Sequence, residues 1–392
     1  MQKRVPRKLR LGIAGLGRAF SVMMPALQHD PRVSVVAAAD PRPEARVRFE
    51  ADFGGRTYET VAALCNDEAV DVLYVATPHQ LHAEHAALGA AAGKHLLIEK
   101  PMALTLREAT RIIDSAAHAG VHVIVGHSHS FDAPILKARK LIDSGVYGAV
   151  RMITAVNYTD FLYRPRRPEE LDTRRGGGAL FNQAPHQVDI VRLLGGGCVA
   201  TVRAQTGAWD HTRPTEGAYA ALLTFTNGAY ASVSYSGYGH FDSDEWQNWV
   251  GEMGQTKPAR FFVPRRFASR EDERDAKNAR IYGSSGWEPS APQPSLHQHF
   301  GTIIVSCDHA DLRPTPAGVT IYDDTGMQVD ALPPPGVPRG EVIDELYATV
   351  LEGRTPLHNG EWGRATLEVC LAMLESAHEG REIALSNQVP VS

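Results

Sequence analysis

Three groups of residues in this 392-residue chain have the types and spacing to do chemistry. Lys100 stands in Glu99-Lys100-Pro101, directly after the apolar run Leu96-Leu97-Ile98. A lysine at the carboxyl end of a buried strand lies on the sheet edge where open α/β sheets collect their ligands. Pro101 fixes its own φ and restricts Lys100 to extended geometry, and the bond between them could be cis. The second group is Asn182, His186 and Asp189, on an amphipathic run from Leu180 to Leu194 behind Gly176-Gly177-Gly178. His186 and Asp189 are three apart and share a helix face. An imidazole there can serve as acid or base, whereas Asn182 can hold a hydroxyl but cannot take its proton. The third group is Tyr158, Tyr163, Arg164, Arg166, Arg167 and Arg174, on a proline-stiffened loop. Guanidinium forks match carboxylates two bonds at a time, so the loop reads as anion-binding equipment. The plainer reading is a solvated basic stretch paired with Glu169, Glu170 and Asp172.

The elements that must position Lys100 form a regular alternation. Leu9 to Ala14 reads as a strand, runs into Gly15-Leu16-Gly17-Arg18-Ala19-Phe20, and continues as a helix. Strand, glycine turn and helix N-terminus together make a dinucleotide cradle. Phe20 stands where a third glycine is usual, so its ring must force helix and strand apart or find a pocket. A second strand, Val33 to Ala39, ends at Asp40, an acid placed for a ribose diol; Asp40 favours NAD, and nearby Arg42 leaves room for NADP. Tyr58 to Cys65 reads as helix, Val70 to Ala76 as a strand stopping at Thr77-Pro78, and His82 to Ala92 as helix. The strand into Glu99, the helix Leu106 to Ala119 and the strand Val121 to Val125 follow. This predicts a doubly wound parallel sheet of the Rossmann type over residues 1–127.

From 128 onward strands dominate: Val150 to Val156, Thr201 to Gln205, Gly217 to Thr226, Tyr230 to Tyr238 and Thr302 to Cys307, with Asn227-Gly228 a hairpin turn. Residues 128–392 are expected to form a second, α+β domain with a large open, mainly antiparallel sheet. Residues 264–296, rich in charge, Gly, Ser and Pro, read as a long, partly mobile excursion that covers the site or reaches a neighbouring subunit. The helices Arg339 to Glu352 and Gly360 to Glu379 close the fold.

The chain resembles the glucose–fructose oxidoreductase/inositol dehydrogenase (Gfo/Idh/MocA) family. The resemblance rests on Gly15-Leu16-Gly17, Asp40, Thr77-Pro78 with His82, Glu99-Lys100-Pro101, and Gly176-Gly177-Gly178 leading to His186 and Asp189. It implies a nicotinamide cofactor held by Gly15, Gly17, Arg18, Ala19, Phe20, Asp40, Arg42, Thr77, Pro78, His79, His82, Glu99 and Lys100. It further implies Lys100 on the reacting carbinol, His186 as acid or base with Asn182 and Asp189 beside it, and a homodimer or homotetramer through the second sheet. Asn182 replaces the family's usual aspartate, and Ser130 stands where many relatives have arginine. The stretches 157–172, 182–189 and 307–315 are similar to the phthalate 4,5-cis-dihydrodiol dehydrogenase branch. That likeness implies an acidic cis-dihydrodiol substrate, bound by Tyr158, Tyr163, Arg164, Arg166, Arg167, Arg174 and His127. A sugar, inositol or sugar-acid dehydrogenase, and an inactive dinucleotide-binding regulator, are the alternatives.

Bulk properties narrow the field. A net charge of −5 gives no electrostatic case for nucleic acid or a membrane surface. No apolar run approaches the ~20 residues of a membrane helix, and the basic start runs into a strand, so a cytoplasmic protein is expected. The cysteines, Cys65, Cys198, Cys307 and Cys370, are scattered as reduced thiols would be. His297, His299, Cys307 and His309 have no zinc spacing, so no metal is expected.

Overall fold

Short β-branched and alanine-rich runs, buried on both faces, build the first sheet. Its strands are β1 (Leu9–Ala14), β2 (Val33–Ala39), β3 (Arg56–Tyr58), β4 (Val72–Val75), β5 (His95–Ile98) and β6 (Val123–Val125), in the order β3-β2-β1-β4-β5-β6, all parallel. The order reverses between β1 and β4, so the chain leaves the sheet in opposite directions from these neighbours and opens a crevice at their carboxyl ends. The computed structural model describes residues 7–259, 267–285, 287–288 and 295–391. Among them, no helix is long and apolar enough to cross a membrane.

The chain divides into two compact units. Unit 1 takes its described residues from within 1–127, 274–293 and 336–363, and unit 2 from the remainder. Tyr58 closes strand β3 rather than opening a helix; the helix begins at Val61, capped by the Thr60 hydroxyl on the Ala63 amide. A helix at Pro43–Phe53, unsignalled by periodicity, carries Phe49 and Phe53. The stretch 264–296 lies partly outside the described residues. Its described part includes a helix, Arg270–Asn278, and a return to unit 1, where Tyr282 is buried edge-on to Phe20 with ring centroids 5.0 Å apart. Trp287 packs on Tyr282 and under the Arg48 guanidinium. A charged stretch expected as an excursion thus contains two aromatic anchors.

In unit 2 a nine-stranded sheet adds β7 (Val150–Tyr158), β8 (Val199–Gly207), β9 (Ala218–Phe225), β10 (Tyr230–Ser236), β11 (Thr302–Cys307), β12 (Ala310–Thr315), β13 (Gly318–Asp323), β14 (Gly326–Ala331) and β15 (Ile383–Ala384). The order is β14-β13-β12-β11-β7-β10-β9-β8-β15, antiparallel except where β10 pairs parallel with β7. Strands β12 to β14 form a meander that the sequence pattern did not reveal, since β14 is exposed along nearly its whole length. The run Leu180 to Leu194 is two helices, Gly178–Asn182 and Ala184–Gly195, with Gln183 between them and Pro185 in the first turn of the second. A proline there lacks only a donor that the first turn leaves unused.

Candidate functional site

In unit 1 the glycine turn fits a dinucleotide. Gly15 has φ +93°, and an added Cβ would lie 2.9 Å from the Ala76 carbonyl oxygen, so the turn can pass beside β4 only as glycine. Gly17 caps the helix Arg18–His29 without a side-chain hydrogen bond, and an added Cβ would reach only the Ala76 oxygen at 3.9 Å. Open space in front of first-turn amides is what a pyrophosphate requires. Phe20 solves the third-glycine problem by a pocket: its fully buried ring packs against Phe49, Phe53 and Tyr282.

Asp40 is buried at the end of β2 and accepts from the Leu16 amide at 2.9 Å. Arg42 donates to the same carboxylate and also to the carbonyls of Leu16 and Tyr282. Arg42 is thus committed to Asp40 and to two backbone carbonyls. The Thr77 hydroxyl lies 3.0 Å from His85 Nδ1, and the Thr77 carbonyl lies 2.9 Å from His82 Nε2. His82 Nδ1 lies 2.9 Å from the Pro101 carbonyl, so the buried imidazole sits between the segments after β4 and after β5 and, when neutral, donates to one of the two carbonyls. Burial pushes this imidazole down to about 4, against the pull of both carbonyls. His79 opens the short turn His79–Leu81, its ring edge-on to His82 at 5.6 Å, and Pro78 precedes it. Glu99 is buried and accepts from the Tyr74 hydroxyl at 2.5 Å; burial raises its carboxyl above the ordinary range. Lys100 follows, half-buried, and the Lys100-Pro101 bond is cis. The Gly126-His127 bond, at the end of β6, is also cis, and His127 is buried in unit 1.

In unit 2 the glycine triplet is a close-packing device. A Cβ on Gly177 would lie 2.6 Å from the Glu170 carbonyl oxygen, and one on Gly178 would lie 2.0 Å from the Glu216 carboxylate. Glu216 accepts from the Leu180 amide and from the hydroxyls of Thr173 and Thr215, fixing the start of the helix pair. Asn182 donates to the Gly178 carbonyl at 2.8 Å, within its own turn. Asp189 accepts from the Ser130 hydroxyl at 2.5 Å and from the Thr366 hydroxyl at 2.7 Å. It ties its helix to the turn His129–Phe131 and to the helix Gly360–Glu379.

His186 is buried, and its ring meets that of His129 at 4.8 Å, edge to face, with Phe300 5.1 Å from each. His129 was not among the residues picked out in the sequence. It is fully buried, with Nδ1 2.7 Å from Asp132 Oδ2 and Nε2 3.4 Å from Glu252 Oε1. Burial alone would lower its imidazole, but Asp132 and then Glu252 raise it to about 9, so it is cationic at neutral pH. The spacing His129-x-x-Asp132 was the available signal; Glu252, over a hundred residues away, gave none.

The arginines do not gather. Arg164 donates to Asp160 at 2.8 Å and reaches Glu252 at 3.8 Å, which joins it to the His129 group. Arg166 stands over the Phe161 ring, 3.8 Å from its centre, and donates to the Phe161 carbonyl. Arg167 is exposed, and Arg174, 91% exposed, pairs with Asp172. Tyr163 donates to Asp210, and Tyr158 packs on Phe241. Arg166 and Arg174 both engage groups of their own loop.

Family models match both parts of the chain: an oxidoreductase-family NAD-binding Rossmann fold over residues 9–127, and the GFO/IDH/MocA C-terminal domain over residues 135–256. A Comamonas testosteroni protein named 1-carboxy-3-chloro-3,4-dihydroxycyclohexa-1,5-diene dehydrogenase is 46% identical over 375 residues, covering 94% of each chain. The rhizopine catabolism protein MocA of Rhizobium meliloti is 28% identical, covering 66% of this chain and 80% of its own. The crystal structure of a putative dehydrogenase from Bordetella bronchiseptica superposes with a TM-score of 0.89 at 40% identity, covering 96% of this chain and all of the other. With its glycine turn, Asp40 and Glu99-Lys100-Pro101 in place, the chain belongs to the Gfo/Idh/MocA family of NAD-dependent oxidoreductases.

Proposed function

We propose that this enzyme oxidises a carboxylated cis-dihydrodiol of an aromatic ring, such as 4,5-dihydro-4,5-dihydroxyphthalate, to the corresponding catechol. The observation that carries this reading is the 46% identity, over nearly the whole chain, to a dehydrogenase named for a carboxylated dihydroxycyclohexadiene. Residues 1–127 supply the nicotinamide site and residues 128–392 the substrate site. Gly15, Gly17 and the first-turn amides would hold the pyrophosphate and Asp40 the ribose of NAD, which supplies the hydride acceptor. Lys100 holds the carbinol oxygen, and either Lys100 or His186 removes its proton. The hydroxydienone left behind moves a ring proton to oxygen and becomes aromatic, which drives the reaction forward. Asp189 holds the helix that presents His186, and Arg164, beside the histidine pair, is the arginine best placed for a carboxylate.

A polyol or sugar-acid substrate is the second reading. It is favoured by Asp132, Asp160 and Glu252, which are hydroxyl acceptors in the same group. The open face of the second sheet, with Leu222, Tyr230 and Ile304 exposed, supports assembly as a homodimer or homotetramer.

The test is the near-ultraviolet absorbance of reduced nicotinamide, with NAD and the cis-dihydrodiols of phthalate and benzoate, against inositol and hexuronates. A rise with the dihydrodiols is expected. A rise only with the polyols or sugar acids would replace this reading with the second.

A further inference from the structure

The group around His129 holds two cations and three carboxylates. Each cation has one short ion pair: His129 with Asp132 at 2.7 Å, and Arg164 with Asp160 at 2.8 Å. Glu252 is the third carboxylate. It spans the same two cations, one oxygen to each, at the longer distances of 3.4 and 3.8 Å. Contacts of that length forfeit most of the directional strength of a charge-assisted hydrogen bond.

Glu252 also sits differently in the chain. Asp132 and Asp160 flank the short turns that place their partners, three and four residues away. Glu252 lies in the loop closed by the Val250–Thr256 bridge and by Gly251 donating to Gln255 at 2.8 Å. Its side chain is 29% exposed. A glutamate there can turn outward by rotating its side chain while the loop's own hydrogen bonds stay made. Around this carboxylate stand His186 behind His129, and Tyr235, which interacts with both Arg164 and Glu252.

We propose that Glu252 holds the place of the substrate's carboxylate between His129 and Arg164 in the substrate-free protein, and gives it up when a carboxylated ring binds. The exchange conserves charge: one carboxylate leaves two cations and another arrives. The proposal rests on the carboxylated-substrate reading and adds to it the anion's position and the group that competes for it. Because the ring that carries the carboxylate would then lie beside His129, its hydroxyls would lie on the His186 side.

The experiment measures benzoate binding by titration calorimetry in the full-length protein and in Glu252→Ala and Glu252→Gln, together with KM for the dihydrodiols of benzoate and of benzene. Removing the competitor should tighten benzoate at least five-fold and lower KM for the carboxylated diol similarly, by a clearly larger factor than any change in KM for the neutral diol. Unchanged or weaker benzoate binding in both variants overturns the proposal, as does benzoate that binds none of the three proteins. If benzoate tightens but no dihydrodiol turns over, the anion site stands and the substrate reading falls. If the dihydrodiols turn over but both KM values move together, the substrate reading stands and the exchange falls.

Discussion

The chain has two glycine-rich turns that look alike in sequence and differ in what fills the space the missing side chains leave. At Gly15-Leu16-Gly17 the room in front of Gly17 is open, the nearest atom to an added Cβ being 3.9 Å away. At Gly176-Gly177-Gly178 the protein fills the room itself, with the Glu170 backbone and the Glu216 carboxylate. One turn leaves room for a ligand and the other is internal packing. The same division separates the charges: Arg166 and Arg174 are engaged with their own loop, while Arg164 belongs to a group in which a third carboxylate, Glu252, reaches both cations.

The sharpest way to break the comparison is alanine at each turn. Gly178→Ala puts a Cβ into Glu216 at a φ of +78° and should abolish the folded protein, measured as soluble yield and thermal unfolding. Gly17→Ala should fold and raise KM for NAD. Equal stability of the two would erase the distinction. Phe20→Ala empties the pocket that replaces the third glycine and should cost about 3–5 kcal/mol in denaturant unfolding. A smaller loss would mean that Tyr282 collapses into the gap.

Lys100→Ala should lower kcat by about 100-fold or more while NADH binding, read by fluorescence, is retained. Turnover at the wild-type level would remove the amine from the reaction. His129→Gln tests the filled side of the charge division. The His129 imidazole is raised above its ordinary value, so its ion pairing stabilises fully below about pH 6.5 and is lost as pH rises through about 9. The stability gap between wild type and His129→Gln should therefore be on the order of 2 kcal/mol near neutrality and shrink toward pH 10. A gap independent of pH would count against a charged His129. Smallest, Arg164→Ala should raise KM for carboxylated dihydrodiols about ten-fold, and Arg174→Ala should leave it unchanged. Equal effects would return both arginines to the substrate.

Much of unit 1 was legible because its signals are local. Period, glycine turn and terminal Asp40 lie within a few dozen residues, and β1 and β2 occupy the spans their apolar runs mark. Tyr58 was read into the helix that follows because the three-residue strand Arg56–Tyr58 carries too little alternation to show itself. In unit 2 the helix carrying His186 was legible, but its neighbour His129 was not. A lone histidine among small polar residues means little until Asp132 and Glu252 fold around it. The arginine loop shows the converse: composition announced charge, and only folding decided which guanidinium each carbonyl and carboxylate would take.

Because Tyr282 caps the Phe20, Phe49 and Phe53 rings, and residues 336–363 also belong to unit 1, the ribosome delivers this unit in instalments. The six strands of its sheet emerge early, yet their aromatic pocket stays uncovered until more than half of the remaining chain has been made. During that interval the nascent protein carries a sticky face that it cannot bury from its own sequence. Completion of the dinucleotide half therefore waits on translation of the other half.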